Sequence, residues 1–105
     1  MDLSIIPSLA ELMGEIPEDS IVSRTVLTND HLKAVLFGFA SGQELSEHTA
    51  ARPAVLHFLT GEAELTLGDE SMKAGVGSWI HMPPNLPHSV RAITPVTMLL
   101  LILKT

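Results

Sequence analysis

Five histidines, at positions 31, 48, 57, 81 and 88, carry most of the chemistry that this chain of 105 residues can offer. A neutral imidazole is a good ligand for zinc, iron, copper or nickel, and it tolerates manganese. The chain has no cysteine, so a thiolate ligand, a cysteine nucleophile and a disulfide framework are all excluded. The stretch HMPPNLPHSV, residues 81–90, packs three prolines and two histidines into a turn that runs into an apolar strand. His88 opens that strand, and His48 lies just before another. In a barrel, two such positions converge at one mouth although they lie far apart along the chain.

The elements that would place these side chains are short and turn-punctuated. Residues 8–14, SLAELMG, read as a brief helix with Ser8 as N-cap and Gly14 as its stop. Residues 20–27 are rich in β-branched types. TNDH then turns the chain into residues 32–40, where Val35, Phe37 and Phe39 alternate with Leu36 and Gly38, a hairpin signal. After that come runs divided by Gly, Pro and Asp, ending in the apolar VTMLLLIL. Short strands at regular spacing indicate an all-β sandwich or barrel, and no long helical pattern supports a parallel βαβ sheet. No internal repeat or linker interrupts the chain, so 1–105 reads as a single domain.

With these residues in view, the chain resembles the cupins, specifically the small single-domain kind of the RmlC-like superfamily. Their first motif sets two histidines one residue apart, and then a glutamate, between flanking glycines. Here the corresponding positions are Gly42, His48, Ala50, Ala54 and Gly61. The second motif, with its glycine, proline, glycine, histidine and asparagine, falls on Gly77, Pro83, Asn85, His88 and Ala92. The resemblance spans roughly 35–103, preceded by the helix and hairpin of 8–40. It implies a double-stranded β-helix, or jelly roll, with a short N-terminal helix. It also implies a divalent transition metal (zinc, iron, manganese or nickel) at the barrel mouth.

The departures bear on that metal. Of the four ligand positions in the family, His48 and His88 are kept, whereas Ala50 and Ala54 cannot ligate. Catalytic zinc sites commonly use three protein ligands and an open position. His81 and His57 are the candidates to complete the set. Strand alternation turns His57 outward if Ala54, Leu56 and Phe58 face the interior, unless a bulge changes the count. Leu56, Phe58 and Arg52 are then candidates for lining the cavity, Arg52 as an anion holder. Asn85 stands where the family has a turn glycine and tolerates the left-handed conformation.

Two functions remain open. One is a metal-binding barrel with an incomplete histidine site, with or without metalloenzyme activity on a small molecule. The other is a non-catalytic binder of a small apolar molecule, a sensor or carrier, since two alanines make the cavity more apolar. The fold hosts many activities and assigns none by itself. Six basic against twelve acidic residues give a net charge of −6, which argues against nucleic acid or an anionic membrane as partner. The most apolar segment, 96–104, is about half the ~20 residues a bilayer span needs. The N-terminus lacks a basic region followed by a long apolar run, so a cytoplasmic location is expected. The apolar outer residues suit a homodimer. GVGSWI lacks the third glycine and following helix of a nucleotide loop.

Overall fold

Nine strands and one helix make two antiparallel sheets in the computed structural model, which describes residues 2–104. The helix α1, Leu9–Met13, begins where the Ser8 side chain accepts a hydrogen bond from the Glu11 amide at 3.2 Å. It ends at Gly14, whose φ of 66° lies in the left-handed region. Arg24 donates to the Leu12 carbonyl at 2.6 Å and so caps the helix end from the sheet below.

Strands β1 (Ile21–Thr28) and β2 (Leu32–Phe39) form the hairpin foreseen from their β-branched and alternating residues. Its turn is set by the Asn29 side chain, which accepts from the amides of His31 and Leu32 at 2.8 and 3.0 Å. The remaining strands are β3 (Glu44–His48), β4 (Ala54–Thr60), β5 (Ala63–Leu67), β6 (Glu70–Ala74), β7 (Trp79–Met82), β8 (His88–Ala92) and β9 (Val96–Leu103). One sheet runs β1-β2-β9-β4-β7 and the other β3-β8-β5-β6, so that β3 and β6 are the edges of the smaller sheet. All pairings are antiparallel.

The core fills the space between the inner faces of the two sheets. Phe58 on β4 stands opposite Met98 on β9, and both are buried together with Phe39 and Leu65. Ala63 and Ala92, paired across β5 and β8, give these rings room. Gly61 closes this end of the barrel. A Cβ there would overlap the Pro95 carbonyl oxygen, and its φ of 82° is strained for any side chain. On the outer face of the larger sheet, Gly38 lets the helix segment approach, because a Cβ would lie 2.7 Å from the Met13 sulfur. Met13 and Leu36 are consequently buried on that side. Among the described residues, no helix is long and apolar enough to cross a membrane.

Candidate functional site

His48 and His88 meet. They are register partners across β3 and β8, their ring centroids lie 4.2 Å apart, and the rings are tilted by 58°. The register explains how His48 comes to face inward. From Leu45 to His48 the chain advances three residues, while the partner strand advances only two, from Val90 to His88. One extra residue in β3 therefore forms a bulge, which resets the alternation. Leu45 packs against the core, and strict alternation from it would turn Glu47 inward and His48 out. Instead Glu47 is exposed and His48 stands over His88.

Each ring is held by the backbone two residues before it. The Nδ1 of His48 lies 2.8 Å from the Ser46 carbonyl oxygen, and the Nδ1 of His88 lies 2.8 Å from that of Leu86. A carbonyl oxygen only accepts, so each Nδ1 carries the hydrogen and donates it. In the neutral ring this leaves both Nε2 atoms as acceptors. His88 is 7% exposed, whereas His48 stands at the open rim.

A cavity of about 170 Å³ opens beside this pair, between the two sheets. Ala50, Arg52 and Ala54 line it from the segment that joins β3 to β4 and from the start of β4. Met82, Pro83 and Leu86 line it from the end of β7 and the turn before β8. Leu100 and Ile102 of β9 form the back wall. The proline-rich turn thus contributes cavity wall as well as aiming His88. Within it Asn85 has φ 67°, the left-handed geometry that the glycine of the motif would have supplied, and its amide donates to the Ala50 carbonyl at 2.7 Å.

Arg52 reaches the cavity wall and donates to the Lys104 carbonyl. Among the described residues it is the only charged side chain in the lining apart from the imidazoles. Leu56 and Phe58 lie deeper, 2% and 0% exposed, in the packed core and not in the cavity wall.

The structure does not bring His57 and His81 to the pair. The β4–β7 ladder is regular, pairing Val55 with His81 and His57 with Trp79. Their neighbours Leu56, Phe58 and Met82 point into the core, so both imidazoles sit on the outer face beside Trp79, which is 62% exposed. Among the described residues, no group of three or more His, Cys, Asp or Glu is placed to hold a metal ion.

Four lining residues escaped the reading of the sequence: Pro83, Leu86, Leu100 and Ile102. A signal existed for two of them, since Leu100 and Ile102 share the parity of the inward Met98.

The family model described as the cupin domain matches residues 35–103. No functionally curated protein matches the chain. Among solved structures, a conserved protein of unknown function from Streptococcus pyogenes is similar over 100% of this chain and 91% of its own, with 28% identity and a TM-score of 0.86. An RmlC-like cupin protein from Desulfovibrio desulfuricans shares 28% identity over 98% of both chains, with a TM-score of 0.82. A cupin superfamily protein from Desulfitobacterium hafniense, 22% identical, superposes with a TM-score of 0.87 over 98% of this chain and 94% of its own.

Proposed function

This chain belongs to the cupin family, and we propose that its barrel binds one small, largely apolar molecule as a sensor or carrier. The observation that carries this reading is the composition of the cavity wall. Alanine, methionine, proline, leucine and isoleucine surround two imidazoles whose Nε2 atoms, in the neutral ring, are acceptors. Pockets of this kind take an apolar body by burial and fix its orientation with a few polar atoms. An apolar cavity of about 150 Å³ accepts a benzene-sized guest. The space here, about 170 Å³, therefore suits a molecule of similar or slightly larger size.

The donor set is too small for the resident metal that the family resemblance implies. Where the family has a second histidine and a glutamate, Ala50 and Ala54 put methyl groups against the cavity. The two imidazoles that remain are one ligand short of the three that catalytic zinc sites commonly use. The Nδ1 contacts do favour a second reading. Ligating histidines almost always donate their other N–H to a carbonyl or carboxylate, as His48 and His88 do. Under that reading the pair holds a divalent transition ion weakly, and water or a chelating small molecule fills the other positions.

One experiment separates the two. Protein prepared without a metal-affinity tag is treated with chelator and melted in the presence of phenol, benzyl alcohol and toluene. Binding to the folded state raises the melting midpoint as probe concentration rises. The expected result is a rise with phenol and benzyl alcohol that is larger than with toluene and is lost in His88→Ala. If only added zinc, nickel or manganese moves the midpoint, or if the untreated protein retains close to one equivalent of metal, the small-molecule reading fails and the second one stands.

A further inference from the structure

We infer that the molecule bound in this cavity is a small carboxylic acid, and that Arg52 receives its carboxylate while the imidazole pair receives a hydroxyl on its other end. This rests on the small-molecule reading above and adds the chemical class of the ligand.

The first argument is Arg52 itself. The chain is strongly acidic, with twelve acidic against six basic residues. Even so, the ion pair found among the described residues is that of Arg91 with Glu64, and none of the described carboxylates pairs with Arg52. Its described contact is the donation to the Lys104 carbonyl, a neutral acceptor. A guanidinium has five N–H donors in a planar fork, so most of its capacity is uncommitted. The Lys104 contact anchors the group beside the cavity, which lowers the cost of ordering it around a guest. A fork with free parallel N–H groups matches a carboxylate in two-point fashion.

The second argument is the distribution of charge and acceptors along the wall. Among the described residues no acidic side chain lines the cavity, so an anion meets no direct repulsion from them, whereas an amine would face the Arg52 cation. In the neutral rings the two Nε2 atoms are acceptors, because each Nδ1 is already committed as a donor. Lone pairs repel carboxylate oxygens and attract a hydroxyl hydrogen. The polar groups of the cavity therefore select both the class of the guest and its direction. A hydroxyl points to His48 and His88, an apolar body lies against Leu86, Leu100 and Ile102, and a carboxylate faces Arg52.

The alternative role for Arg52 is a clasp between the β3–β4 segment and the end of β9, since Leu103 also donates to the Pro53 carbonyl at 3.0 Å. A clasp affects all guests equally and an anion receptor does not. The test therefore compares an acid with its neutral isostere. Chelator-treated protein is titrated calorimetrically with 4-hydroxybenzoate, 3-hydroxybenzoate and the corresponding hydroxybenzamides.

In the wild type the acid is expected to bind about tenfold more tightly than its amide, the scale of a charge-assisted pair over a neutral one. The preference should shrink as ionic strength rises. In Arg52→Gln the ratio of the two affinities should fall to about one, because the acid loses far more affinity than the amide. Should Arg52→Gln fold poorly, the salt dependence of the wild-type ratio and the Arg52→Lys variant carry the same test. Lysine keeps the charge but not the fork.

Equal affinity for acid and amide in the wild type would overturn the assignment to carboxylic acids and leave the small-molecule reading intact. The same holds for a preference that survives Arg52→Gln. If neither acid, amide nor phenol binds, the small-molecule reading itself fails, and this inference falls with it.

Discussion

Along one pair of strands the barrel changes from solid to hollow. On β4 and β9 the facing pairs are Phe58 with Met98, then Leu56 with Leu100, then Ala54 with Ile102. At the first pair both side chains are buried, at 0% and 1% exposure, and the space is filled. At the last, alanine stands where a larger group would meet isoleucine, and the cavity begins. The ladder is regular between them, so side-chain size decides which end packs and which end stays hollow. The closed end is sealed by Gly61 against Pro95, whereas a proline-rich turn and an edge strand line the open end. In such a fold stability and binding can be assigned to opposite ends of one interior.

Truncation at the closed end should have the largest effect. Phe58→Ala removes a fully buried ring from a close-packed region, and such changes cost about 3–5 kcal/mol. Denaturant unfolding measures this directly. A loss below about 1 kcal/mol would mean that the closed end is not packed as described. Filling the open end should do the reverse. Ala54→Leu puts apolar atoms into existing space, so stability should hold or rise by up to about 2 kcal/mol. The probe-induced rise in melting midpoint should vanish in the same variant. Destabilisation on the scale of an overpacked core would remove the distinction between the two ends.

The smallest effect lies outside both regions. Glu64 and Arg91 stand opposite each other on β5 and β8, with an oxygen and a nitrogen 2.7 Å apart. The hydrogen bond from Arg91, reinforced by its charge, lowers the Glu64 carboxyl below its usual value. A carboxyl depressed in the folded state stabilises above the unfolded carboxylate range, and the gain is lost as pH falls through the lowered value. Both side chains are about half exposed, which screens the pair. Arg91→Ala should therefore separate only slightly from the wild type in midpoint near neutral pH and converge with it in acid. High salt should erase the difference. Probe binding should be unaffected, and a loss of binding in this variant would break the separation of surface from cavity.

Much of this architecture was legible in the sequence because the signals were local. Ser8 and Gly14 bracket the helix, Asn29 sets the hairpin turn, and Asn85 takes the left-handed position, each through its own side chain or backbone preference. The pairing of His48 with His88 followed from the family motifs, with both histidines in place. The reach of Arg52 followed from its parity with Ala50 and Ala54.

What could not be read was set by partners distant in sequence. The bulge in β3 exists only relative to β8, and it decides whether an imidazole or the Glu47 carboxylate faces His88. Leu56 and Phe58 are apolar and inward like Leu100, and only their depth between the sheets separates core from cavity wall. The acceptor state of the two rings depends on the Ser46 and Leu86 carbonyls, which any residue would supply.

The position of β3 in the smaller sheet has a kinetic consequence. It is an edge, so the wall that carries His48 rests on a ladder along one side only. His88 sits on β8, clamped between β3 and β5. Backbone that bonds on one side frays at lower cost than backbone bonded on both. Guests would then come and go by the breathing of a single peripheral strand while the inner imidazole keeps its place, and amide exchange fast in β3 and slow in β8 is the signature of that door.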